Sequence, residues 1–398
     1  MLIILLINAP DHLESSHPAL QRTEALLRSL TRASACPGIV CYDAQRHLDI
    51  LIVDLVSAGK RVPHRKGVGV IRKLGADIAL SLIHNQHIHK PWIFCTDADV
   101  LLPEGYFQVL NMPVQNSGAD VAAIVLPYRH FLEKKATQTT ELLLQHLRDQ
   151  ETASQLYELH MRYFTNRLGW SGSPYAYSSI GSLLVISANH YAMVRGFPGR
   201  PAAEDFYLLN KLAKVGLIAC PVSPLVQLQA RYSTRVPFGT GPALLKILES
   251  GERLTYAPQS FDLLKLFYTE LTQMKILPIS SQALWTSTLH HDPNATMLLL
   301  VLDKIGFEKF IVQQLKQCKT RVRLVRAIHE WFDAFRILKF LHAARDLGNF
   351  DIPVLQALSR IYPEARCRSH DYLAFLCNLE QSETQHKGLG RYAGMLPT

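Results

Sequence analysis

The chain opens on an unbroken apolar run, Leu2 to Ile7, of strand length. Such a run predicts a central strand buried on both faces. Asn8-Ala-Pro-Asp ends it. From His12 to Arg32 the residues Leu20, Leu26, Leu27 and Leu30 recur at helical spacing, until Pro37-Gly38 breaks the pattern. Asp49 to Val56 predicts a second strand, Gly67 to Ile83 a loop entering a helix, and Pro91 to Thr96 a third strand ending in Asp97-Ala98-Asp99. A short helix over Pro103 to Leu110 and a fourth strand over Ala119 to Leu126 follow. Alternating strands and helices predict an α/β domain with a largely parallel sheet.

Tyr128 to Arg167 carries a polar, helical pattern, and Gly169 to Pro174 a loop. Ile180 to Ser187 predicts another strand and Glu204 to Val215 another helix. Beyond the Pro237-to-Pro242 punctuation the texture becomes helical throughout. There Val322, Leu324, Ile328, Trp331, Phe332, Phe335, Leu338 and Leu341 form one long apolar face. The change of texture sets a boundary between residues 1–245, an α/β domain, and 246–398, a helical region. Gly388 to Thr398 is Gly-rich and expected to fray.

Composition narrows the classes. With 398 residues the chain holds two or three domains and can bury a large core. Its 48% hydrophobic and 19% charged content excludes global disorder. The net charge of +9 is dispersed without a basic tail. It suits a nucleotide, a phosphate-bearing substrate or a membrane surface. No basic-aromatic module supports nucleic-acid binding. Seven cysteines without a C-x-x-C pair point to reduced thiols in a cytoplasmic protein. The first residues lack a basic segment ahead of the apolar run, so they read as a strand rather than a signal peptide. No apolar stretch approaches the roughly 20 residues of a membrane span. Lys304, Lys309, Lys316, Lys319, Arg321, Arg323 and Arg326 form a basic stretch. It reads either as a solvated helical face or as a peripheral contact with the inner face of the membrane.

Three places carry chemistry. Asp97 and Asp99, two apart beyond a buried strand, share a face if the chain stays extended, and such carboxylates suit a divalent Mg²⁺ or Mn²⁺ that bridges to phosphates. The alternative is a solvated loop. Gly67-Val-Gly69, with Arg72 and Lys73, allows close backbone approach to a ligand at a helix start. Glu204-Asp205 opens a helix, where acids also serve as plain dipole partners. His84, His87 and His89 lack metal-ligand spacing and read as a surface loop, and His290-His291 as a turn. Trp170 reads as a packing anchor or as an exposed stacking platform.

In this order and spacing these elements resemble the family 2 glycosyltransferases of the GT-A fold. The resemblance runs from Leu2 to Gly241 through Asn8, Asp54, the Gly67/Arg72 pair, Asp97-Ala-Asp99 and Glu204-Asp205. A narrower resemblance, to a bacterial subgroup, rests on Gly67-Val-Gly with Arg72-Lys73 and Gly75, Gly181-Ser182, Glu204-Asp205-Phe206-Tyr207 and Ser233-x-Arg235-Val-Pro-Phe-Gly-Thr-Gly241. The resemblance implies a metal-dependent, inverting sugar transfer from a nucleoside-diphosphate-sugar to an acceptor hydroxyl. It implies Asp205 as general base with Glu204 as second candidate, Asp99 with Asp97 as ligands of Mn²⁺ or Mg²⁺, and Asn8, Asp54, Arg72, Asp97, Arg231 and Arg235 on the donor. Asp54 departs from the family pattern, being followed by Leu55-Val56. Trp170 and Ser182 are the candidates for the acceptor, a carbohydrate or lipid-linked molecule. Two alternatives stand beside this. One is a degenerate GT-A scaffold. The other is a sugar nucleotidyltransferase, disfavoured by Asn8-Ala-Pro-Asp11 where that class needs a Gly-rich basic signature.

Overall fold

A computed structural model describes residues 1–32, 39–43, 48–111, 120–131, 141–230, 240–285, 289, 292–363, 369–387 and 391–393. In chain order its first elements are β1 (Leu2–Asn8), α1 (Pro18–Arg32), β2 (Ile39–Asp43), β3 (Leu48–Leu55), α2 (Gly67–His84), β4 (Trp92–Phe94) and β5 (Val100–Leu101). Next come β6 (Val121–Val125), β7 (Tyr128–Phe131), α3 (Glu141–Trp170), β8 (Leu184–Ser187), α4 (Ala188–Met193), α5 (Glu204–Leu212), β9 (Leu217–Cys220) and β10 (Val226–Gln229). The remainder is α6 (Thr240–Ser250), β11 (Leu254–Thr255), α7 (Pro258–Gln273), α8 (Ala295–Lys304), α9 (Phe307–Gln317), α10 (Arg321–Trp331), α11 (Ala334–Asp346), β12 (Ile352–Pro353), α12 (Val354–Ile361), α13 (Ser369–Lys387) and β13 (Arg391–Ala393).

The protein is mixed α/β, but its described strands form small mixed sheets rather than one largely parallel sheet. Parallel pairs join β1 to β3, β6 to β9 and β7 to β10. Antiparallel pairs join β2 to β3, β4 to β8, β5 to β10, β9 to β13 and β11 to β12. The expected strands at Leu2 and Asp49 are present. β2, β7, β9 and β10 add short strands that the hydrophobic pattern did not announce. The expected helix from Tyr128 begins instead as β7, and α3 runs on through Gly169-Trp170, where a loop was expected.

Two compact units divide the chain, one comprising residues 1–95 with 185–208 and the other residues 96–184 with 209–398. The boundary expected near residue 245 therefore lies inside α6. Its physical reason is α3, a 30-residue helix of the second unit, which packs on α6, α7, α12 and α13. The helices after residue 245 share a core with the segment that follows the third expected strand.

In the first unit β1 and β3 run in parallel with Leu2 opposite Asp49 and Ile7 opposite Asp54. Their apolar side chains close on α1 through Ile7, Leu20, Leu27, Ile52 and Val56. Amphipathic spacing thus brings the helix onto the sheet by burial of aliphatic surface, about 1.5–3 kcal/mol for each fully buried large side chain. α2 packs on β1, β4 and α4.

In the second unit β6 is buried at every position, as its continuous Val-Ala-Ala-Ile-Val run predicts. A ring cluster of Phe267, Phe307, Phe332 and Phe340 fills the helical core. The long apolar face expected from Val322 to Leu341 belongs to two helices, not one. The first ends at Trp331 with Phe332 as its C-cap, and Asp333 caps the second by accepting a hydrogen bond from the Arg336 N–H. Leu324, Ile328, Phe332 and Leu341 are buried, whereas Val322 and Phe335 face solvent. Asp333 also accepts from the Asn210 amide at 3.0 Å and pairs with Lys214. Among the described residues no helix is long and apolar enough to cross a membrane.

Candidate functional site

The first unit assembles two groups of the expected residues. One lies at the carboxyl ends of β1 and β3. Asn8, exposed, closes β1 opposite Leu55, and Asp54 stands one position earlier on β3. In-register parallel pairing makes them near neighbours. Asp54 Oδ1 accepts from the Val56 and Ser57 N–H groups at 3.0 Å each, and Oδ2 pairs with Lys60 at 3.0 Å. Partial burial raises its pKa, but hydrogen bonds from Ser57, Val56 and Lys60 outweigh that and hold it well below the carboxylate range. The Leu55-Val56 departure is thus accommodated by a tight turn that Asp54 itself organises.

The second group joins the Gly-rich segment to the acid pair. α2 starts at Gly67, whose φ is +55°, a left-handed conformation that favours glycine. A Cβ there would stand 2.3 Å from the Pro201 carbonyl oxygen, and one at Gly69 would stand 2.3 Å from that of Arg200. The glycines serve a close backbone approach, but the partner is the chain's own Pro198–Pro201 loop where a ligand was expected. That loop leads directly into α5. Arg72, on the first turns of α2, lies 3.0 Å from Glu204, with the two side chains 14% and 4% exposed. Glu204 is therefore a buried, ion-paired acid. Asp205 is half-buried, and its Oδ1 accepts from the Phe206 N–H at 2.7 Å. Ala203, immediately before the pair, has φ +59°, a strained conformation for a residue with a Cβ. Across the same segment the Arg200 guanidinium covers the Tyr207 ring at 4.1 Å.

The second unit holds the aspartates expected to ligate metal. β4 ends at Phe94, and Ala98-Asp99 lies in a turn, so the extended geometry stops before Asp99. Asp97 is exposed and Asp99 half-buried. The Asp99 carbonyl accepts from the Gln229 N–H at 3.3 Å, which docks the turn on β10. The shared face expected of an extended Asp97-Ala-Asp99 is therefore not formed by strand geometry, although one or two carboxylates completed by phosphate and water are the usual protein ligands of Mg²⁺. No group of three or more His, Cys, Asp or Glu side chains gathers as a metal cage among the described residues.

Trp170 is 43% exposed, but its ring already takes the Arg167 guanidinium at 3.6 Å and the Lys265 ammonium at 3.9 Å. Arg167 is in turn paired with Asp262 at 3.0 Å. Ser182 is buried in the short turn Gly181–Leu183 ahead of β8. Arg231, Arg235 and the Ser233–Gly239 stretch lie outside the described residues, as do His290 and His291. His84, His87 and His89 are exposed. In the basic stretch Lys304 pairs with Asp346, Arg326 with Glu330, and Arg321 donates to the Met274 carbonyl. Cys95, Cys220, Cys318 and Cys377 are unbridged thiols.

Sequence reasoning missed an open cleft in the second unit, of about 140 Å³, lined by segments 125–129, 162–166, 177–178, 220–225 and 377–380. No motif spans these segments, so no local signal marks it. Neither a family model nor a curated protein matches this chain.

Proposed function

We propose that this chain is a metal-dependent, inverting glycosyltransferase of the GT-A type that moves a sugar from a nucleoside-diphosphate-sugar to an acceptor hydroxyl. The observation that carries this reading is the division within the acid pair. Glu204 is buried and neutralised by Arg72, while Asp205, its neighbour on the same first turn, keeps water access. A carboxylate so placed suits a base that takes the hydroxyl proton as the acceptor attacks. A single base on the side opposite the leaving group corresponds to one displacement with inversion.

Arg72 and Glu204 then act as positioning residues for Asp205. Asn8 and Asp54 support a nucleotide site, because ligands of open α/β sheets bind outside the carboxyl ends of parallel strands. A Mn²⁺ or Mg²⁺ ion held by Asp97 and Asp99 would offset charge developing on the diphosphate. Arg231 and Arg235 are assigned to the same diphosphate. Trp170 and Ser182 stay assigned to the carbohydrate or lipid-linked acceptor, Trp170 through its exposed edge. A peripheral membrane contact through the residue 304–326 stretch belongs to the same proposal.

A thermal-shift panel of UDP, GDP and their sugars, with and without Mn²⁺, tests it. One nucleotide should raise the melting temperature only with the cation. Asp99→Ala should weaken that shift. Asp205→Asn should keep the shift and lose transfer. Unchanged turnover in Asp205→Asn overturns the choice of base, and no shift with any nucleotide overturns the reading.

A further inference from the structure

The cleft of the second unit lies outside the carboxyl ends of two parallel strands. β6 and β9 pair in parallel, and the residues that leave them, 125–129 and 220–225, form two of its walls. That is the position at which open α/β sheets bind ligands. Leu126, Val222 and Leu225 make the walls largely apolar.

At its base stands Arg162, a guanidinium fixed before any ligand arrives. Its Nε and one terminal nitrogen donate to Glu158 Oε1 at 2.9 and 2.8 Å, and that nitrogen also donates to the Tyr128 carbonyl. Glu158 is itself held from its other oxygen by the His130 N–H at 2.8 Å and by the His130 ring. The second terminal nitrogen of Arg162 reaches the cleft. There it donates to Glu380, whose other carboxylate oxygen accepts from the Asn166 amide at 3.2 Å. Glu380 comes from α13, one turn after Cys377, which lines the same cleft and lies 3.5 Å from the Arg129 guanidinium. Arg162 is 8% exposed and Glu380 29%. The hydroxyls of Tyr128 and Tyr177, two further lining residues, are buried and make no hydrogen bond to a described residue. Buried hydroxyls without partners are uncommon in folded proteins.

We propose that this cleft binds a small molecule bearing a carboxylate on an apolar body, and that Glu380 is its built-in stand-in. The ligand carboxylate takes the two donors of Arg162 and Asn166, and Glu380 swings into water as α13 yields at its mouth. Charge is conserved in the exchange, since one carboxylate leaves as another enters. A phosphate dianion fits less well. Glu158 already shares the same guanidinium and neutralises much of its charge, and the walls are largely apolar. This site is independent of the transferase reading.

The test uses the full chain with benzoate as probe, inorganic phosphate and glucuronate as comparators, and mass-mapped alkylation of Cys220 and Cys377 as readout. Cys95, which does not line the cleft, is the reference. Benzoate should protect Cys220 and Cys377 saturably while leaving Cys95 unchanged. Glu380→Ala should tighten benzoate about tenfold, because the competing carboxylate is gone. Asn166→Ala in that background should weaken it about fivefold, the loss of one hydrogen bond. Glu380→Gln serves if the alanine variant folds poorly, and saturation-transfer NMR on the unaltered protein needs no variant. Absence of saturable protection in both the parent and the Glu380 variants overturns the proposal. So does an affinity untouched by Glu380 removal. Tighter binding of phosphate than of benzoate overturns the carboxylate assignment, and tighter binding of glucuronate overturns the apolar body.

Discussion

Arg72 on α2 and Glu204 on α5 meet at 3.0 Å with little water around either side chain. The contact ties two segments more than a hundred residues apart into one local structure. Breaking a buried ion pair from one side leaves an uncompensated charge, which costs about 3–5 kcal/mol. Arg72→Ala should therefore destabilise the protein by about 3 kcal/mol in urea unfolding. Arg72→Met with Glu204→Leu should recover most of that loss, because the pair is then replaced by apolar volume. Activity should not recover with it if the pair positions Asp205.

The Gly67 and Gly69 contacts make a steric prediction. Either residue changed to alanine drives a methyl group into backbone that has no rotamer to yield. Overpacking of this kind costs about 1–3 kcal/mol, occasionally more, and the left-handed φ at Gly67 adds to it. Gly251→Ala is the control. It shares a positive φ but has nothing within 4 Å of the added carbon, so only the conformational cost of about 1–2 kcal/mol applies. Chemical denaturation of the three variants should rank Gly67→Ala as the least stable.

Ala203 offers the opposite sign. Replacing it by glycine relieves the strain of φ +59° and should stabilise the protein by about 1 kcal/mol. A melting temperature that rises while transfer falls would show that the strained turn holds the acid pair in its working position.

His160 on α3 governs a pH response. Burial, then the charge of Arg253, pushes its pKa down from 6.5 to about 3. Its Nδ1 is buried without a hydrogen-bond partner among the described residues. The unfolded chain takes up this proton near pH 6.5 and the folded chain only near pH 3, so stability is full above pH 6.5 and is lost as pH falls between those values. The slope for one proton is about 1.4 kcal/mol per pH unit. Urea titrations of the parent and of His160→Leu, between pH 7 and pH 5, should differ by that slope.

Much of the first unit was legible because its signals are local. The continuous apolar run of β1, the aliphatic strand β3 and the helical spacing of α1 each fit inside ten to fifteen residues. The short strands were not. β10 reads Val-Gln-Leu-Gln and alternates buried with less buried positions, yet four residues are too few to separate strand period from chance. The acid pairs could be located by sequence, but their roles depended on distant partners. Nothing near Glu204 announces Arg72, and nothing near Gly67 announces Pro201. The cleft was illegible for the same reason, since it is gathered from five segments and anchored by Arg162 in the middle of a polar helix.

β13 pairs with β9 over Arg391–Ala393. With β6 on its other side, β9 has no bare edge, and an uncovered edge strand is a template for a second chain. A protein shortened before Arg391 should keep its secondary structure in dilute solution and turn cloudy on concentration. On that outcome the three residues Arg391 to Ala393 set a colloidal property, separate from any chemistry at Asp205 or Arg162.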